Sequence, residues 1–142
     1  MSRRERVAWL SLIAMALTFG PYFILTAIDP PMEALPDLSA LARLAITTVS
    51  QAALLGAGYL FLRYRFPEDA AAPADERDRA IGHRSLHTAY IVLIVGMILV
   101  GCVMPFHSSG WELINAAVFM IVVAEVVHNG AAVWGYRRGL SA

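Results

Sequence analysis

LINAAVFMIVVAEVVHNGAAVW, residues 113–134, decides how this chain folds. It holds one carboxylate and no lysine or arginine, and roughly 20 apolar residues in a helix cross a ~30 Å hydrocarbon core. Three more runs of this kind lie upstream, at about 7–28, 41–62 and 87–104. The third is short, and its helix is expected to begin earlier, in the polar approach from Asp75. The whole 142-residue chain fits this reading, being 58% hydrophobic and only 15% charged. Soluble domains are about 45–50% apolar and about 25% charged. Mean hydropathy is +0.61.

Arg3, Arg4 and Arg6 ahead of an apolar run could announce a cleaved signal peptide. The run exceeds the usual h-region of about 7–15 residues and lacks a convincing A-x-A site, so a retained span is expected. All eleven basic residues are arginines, and they set the orientation. They precede span one, lie between spans two and three (Arg63, Arg65, Arg77, Arg79, Arg84) and follow span four (Arg137, Arg138). Only Arg43 lies on the other side. By the positive-inside rule both termini are cytoplasmic, in a bacterial inner membrane. Trp9, Tyr64, Trp134 and Tyr136 fall at the inner interface, and Tyr22 and Trp111 at the outer one.

The expected fold is therefore all-α: a single four-helix transmembrane domain of two antiparallel hairpins, because backbone groups in lipid must be satisfied within helices. Pro21 should bend span one. Ala52/Gly56 and Ala131/Gly135 offer small surfaces for close helix approach, and permit a homodimer. Cys102 is the only cysteine, so no internal disulfide can form, and a packing role is expected. Zero net charge gives no basic surplus for direct nucleic-acid binding.

The longest piece outside the membrane is the inner loop, about 63–86. In it Asp75 can cap a helix, and Asp75 and Arg79 are spaced for an ion pair. Asp75, Glu76, Arg77, Asp78 and Arg79 form either a solvated helix start or a docking surface for a cytoplasmic partner. DERDRAI, then AYIVLIVGMILVG, an Asn-bearing span, AE and a closing YRRG together resemble an uncharacterised family of small four-helix prokaryotic membrane proteins. The likeness covers roughly 75–139 and includes Tyr90, Asn115, Glu125, Tyr136, Arg137 and Arg138; spans one and two match only in hydropathy. It implies a role beside small helix-turn-helix regulators, modulating such a partner from the membrane. It implies no catalytic residues.

One feature of span four resists a purely hydrophobic reading. Glu125 lies about 20 Å beyond Glu112 at 1.5 Å per residue, a little past the midplane, where an ionised carboxylate costs on the order of 3 kcal/mol. It should face the bundle, protonated or paired. Asn115, Glu125, His128, Asn129 and Ala132 share one arc of the helix. If Met104 is level with Glu112, then His128 is level with Thr88 and Glu125 with Ile91. That register nominates His87 and Tyr90 as cross-helix neighbours, with Gln51 from span two.

Such a group can fix packing through interhelical hydrogen bonds or mark a proton or cation pathway. Glu125-x-x-His128 has the spacing of di-iron bundles, but they need further intramembrane acids that this chain lacks. Haem would need His87 and His128 as facing axial ligands; neither metal nor cofactor is expected. No nucleophile–base pair or glycine-rich phosphate loop suggests an enzyme. The expected function is regulatory interaction, with the inner loop and the Arg-rich termini presented to a cytoplasmic partner; the alternative is a small proton- or cation-coupled transporter using Glu125.

Overall fold

A computed structural model describes residues 3–31, 37–67, 75–108 and 110–138. The alanine-rich part of the inner loop and the Gly139 of YRRG lie outside the described residues. Four long helices make up the fold: α1 (Arg3–Ile28), α2 (Leu38–Arg65), α3 (Glu76–Ile98) and α4 (Trp111–Arg138). All four are long and apolar enough to cross a membrane.

Consecutive helices form antiparallel hairpins. α2 packs chiefly on α1, α3 chiefly on α4, and α1 on α4 joins the two hairpins. The described ends of the chain, the end of α2 and the start of α3 lie together at one end of the bundle, here the termini end. The end of α1, the start of α2, the Met104–Phe106 turn and the start of α4 lie at the other, here the hairpin end.

The capping chemistry follows the sequence. Asp75 caps α3 by accepting from Asp78 N at 2.7 Å, so the third helix does begin in the polar approach. Asp37 caps α2 through Ser39 N and Ala40 N. At the far end of α3, Pro105 lacks the N–H that would bond to Gly101. There the helix loosens into a π turn, Leu99–Val103, and closes with a 3-10 turn, Met104–Phe106. α1 runs unbroken through Pro21.

Burial is inverted relative to a soluble protein. Small side chains fill the interior (Ala8, Ala14, Ala40, Ser85, Ala89, Ala124), while Ile13, Leu17, Ile46 and Phe61 lie on the outside. Lipid tails are as apolar as leucine, so only close approach and polar pairing favour one helix face over another. Small residues permit that approach. A Cβ on Gly135 would lie 2.9 Å from Ile81 Cγ2, and one on Gly96 would overlap Met120.

Both contacts agree with the α3–α4 register read from the sequence. The Ala131/Gly135 surface is thus used, through Gly135. Ala52/Gly56 is not: a Cβ on Gly56 would meet nothing within 4 Å, and the close approach on α2 is made at Gly58, against Leu10.

Polar ties hold the hairpins together. Thr18 Oγ1 lies 2.9 Å from Ala14 O and 2.7 Å from the Gln51 amide. One hydroxyl proton cannot serve two acceptors, so Thr18 donates to Ala14 O and the amide nitrogen of Gln51 belongs against Thr18. The Tyr22 hydroxyl donates to Asn115 Oδ1, inside a cluster where Phe23 meets Phe119 edge-on at 5.2 Å. At the hairpin end Arg43 pairs with Asp29 at 3.1 Å. The lone arginine of that end is therefore neutralised locally.

Candidate functional site

At the termini end the four helices leave a cavity of about 480 Å³ lined by both polar and apolar groups. Arg3 and Arg4 come from α1, Tyr59 from α2, Asp78 from α3, and His128 and Tyr136 from α4. Helical spacing explains the α4 contribution. At 3.6 residues per turn, Glu125, His128, Ala132 and Tyr136 fall within about 80° of one another. Tyr136 and His128 are then about 12 Å apart along the axis.

Charges at the mouth are held by cross-helix pairs. Arg4 Nε lies 3.6 Å from Asp78 Oδ2, and the Tyr136 side chain lies against the same two groups. The Arg3 guanidinium is 5.1 Å from the centre of the Tyr59 ring. Beside the cavity, Arg137 pairs with Glu5 at 3.6 Å and lies over Trp9. Deeper in, His128 Nδ1 is buried without a hydrogen-bond partner.

The polar group expected around Glu125 is not assembled. Glu125 is on the cavity-side arc of α4 but exposed, one turn beyond His128. His87 and Tyr90 are exposed too, Tyr90 at 59%. The depth register was right and the rotation was not. α3 turns Ser85, Ala89 and Gly96 inward, and at about 100° per residue this swings His87 and Tyr90 away from α4. The remaining members have separate partners. Gln51 meets Thr18, Asn115 meets Tyr22, and Asn129 Nδ2 donates to Glu125 O at 2.8 Å.

The proposed docking residues also divide. Asp75 is the cap, Asp78 faces the cavity, and Arg77 donates to Tyr136 O at 3.4 Å. Glu76 and Arg79 stay exposed. No Asp75–Arg79 ion pair forms among the described residues. Among these residues no three His, Cys, Asp or Glu side chains gather as a metal site would require. Arg3, Arg4, Tyr59 and Ser85 were missed as site residues. The arginines were read as topology signals and as part of a partner surface, not as cavity lining, and nothing in one helix's sequence announces a neighbour's tyrosine.

Fold and cavity together define a four-helix bundle fitted to a membrane, with a pocket of mixed polar and apolar lining among its helix ends. No known family, curated protein or solved structure matches this chain.

Proposed function

We propose that this is a regulatory interaction protein of a bacterial inner membrane, with both termini cytoplasmic, that docks a cytoplasmic protein at its termini end. The observation that supports this reading is the bracing of the first turns of α3. Arg4–Asp78 and Arg77–Tyr136 O tie them to α1 and α4, so Glu76 and Arg79 are displayed on a braced helix start. Arg63, Tyr64 and Arg65 at the end of α2 add an exposed basic and aromatic edge. The resemblance to proteins encoded beside helix-turn-helix regulators supplies the partner class.

The test is crosslinking in intact cells followed by purification. A regulator should be recovered with the unaltered protein and lost with the charge swap Glu76→Arg/Arg79→Glu, which breaks none of the bracing pairs. Recovery of no protein partner in repeated crosslinking would overturn the reading.

One observation favours a second reading. Glu125 lies one turn of α4 beyond His128 with an exposed side chain, and acids within membrane spans often mark proton or cation pathways. In sealed vesicles Glu125→Gln should then abolish substrate-driven proton flux and leave thermal stability unchanged. An effect on stability alone assigns Glu125 to packing.

A further inference from the structure

α3 packs on α4 through Ser85, Ala89 and Gly96, and its opposite side is exposed. There His83, Arg84, His87, Ile91, Ile94 and Ile98 share a stripe about 100° wide at about 100° per residue. All six are exposed. Neither imidazole nor the Arg84 guanidinium makes a hydrogen bond or ion pair among the described residues. No acid follows Asp78 on this helix, and Arg79 lies one turn from His83 on the aqueous side. Depth places the group at a boundary. With Met104 level with Glu112, Arg84 is about 30 Å from that level and His87 about 25 Å. A ~30 Å hydrocarbon core therefore ends at this group. From His87 the stripe runs about 16 Å inward to Ile98, about the depth of one leaflet.

We propose that this face of α3 holds an anionic phospholipid of the leaflet at the termini end. Its phosphodiester sits on His83, Arg84 and His87, and an acyl chain lies along Ile91, Ile94 and Ile98. His83 and His87 are only about 6 Å apart along the axis, with Arg84 between them. One guanidinium and two imidazole N–H groups thus converge on the free oxygens of a single phosphodiester, by hydrogen bonds that charge strengthens. The same charges select the headgroup. A zwitterionic lipid would bring its ammonium against Arg79, and no carboxylate between His83 and Ile98 receives it. A net negative headgroup meets no such penalty. This inference stands apart from partner docking, because Glu76 and Arg79 are not among the residues that hold the lipid.

The experiment uses the full chain in a neutral maltoside detergent and measures lipid binding by native mass spectrometry. The probes are dioleoyl phosphatidylglycerol and dioleoyl phosphatidylethanolamine, which share their chains and differ in headgroup charge. The first phosphatidylglycerol should bind at least about fivefold more tightly than the first phosphatidylethanolamine. His83→Gln/Arg84→Gln/His87→Gln should bring the two affinities to within about twofold. Arg63→Gln/Arg65→Gln, at the same end of the bundle on α2, should keep the preference.

The substituted side chains are exposed, and a second measurement on the unaltered protein removes any dependence on the variants' folding. Phosphatidylglycerol carrying a diazirine on an acyl chain should label α3 between Ile91 and Ile98 more heavily than α2, as read by peptide mass spectrometry. The proposal is overturned if the two lipids bind the unaltered protein equally, or if the label spreads evenly over α2 and α3. It is also overturned if the α2 variant loses the preference as fully as the α3 variant, which would make the site no more than a general basic interface.

Discussion

Gly96→Leu should remove most of the folded protein, whereas Gly56→Leu should be tolerated. Both substitutions put the same side chain on a membrane helix, so the difference isolates the neighbour. At Gly96 even a Cβ overlaps Met120, whose Cβ and Cγ as well as its flexible end lie in the way. A leucine there must push α3 and α4 apart. Overpacking of this kind costs about 1–3 kcal/mol, occasionally more. Separation would also strain the Ile81–Gly135 contact about four turns away. At Gly56 there is open space, and helix propensity alone favours leucine over glycine by up to ~1 kcal/mol. Thermal denaturation in detergent, read as loss of the monodisperse peak on size-exclusion chromatography, compares the two. Met120→Ala in the Gly96→Leu background should recover part of the loss. Equal stability of the two glycine variants would mean that α3 and α4 do not meet at this point.

The second large effect is expected at the Tyr22–Asn115 hydrogen bond, a polar tie between the hairpins at their far end from the termini. Tyr22 is only 5% exposed, and Tyr22→Phe keeps the ring that packs against Phe19 and Phe23 while deleting the hydroxyl. Asn115 Oδ1 then loses its donor in a site with little water, at a cost of about 1–2 kcal/mol. Asn115→Leu leaves the Tyr22 hydroxyl in the same position. Replacing both removes the stranded group, so the double variant should be destabilised by clearly less than the sum of the singles. Unfolding by dodecyl sulfate in mixed micelles measures all three. Strict additivity would show that the pair contributes nothing to joining the hairpins.

Much of this architecture is legible in the amino-acid order. The four hydropathic runs give the helices, short connections give the hairpins, and Asp75 marks the true start of α3. Even the α3–α4 register follows from the turn length, as Gly96 against Met120 and Ile81 against Gly135 show. The candidate site was read less well. His128, Asn129 and Asp78 reach the cavity, whereas Glu125, His87 and Tyr90 do not form the polar group proposed for them. The cavity's cations stand at the start of the chain and its floor near the end, a separation that no local spacing encodes.

The sequence by itself thus determined how many helices there are, where they start and how deep each residue lies. These follow from hydrophobic length, caps and a fixed rise per residue. Only the tertiary structure decided which way each helix is turned. In a soluble protein the apolar stripe announces the inward face, but here lipid and interior are equally apolar. Rotation is set instead by where small residues let backbones meet and where polar groups find partners. That is why Ser85, Ala89 and Gly96 face α4 while His87 and Tyr90 look away.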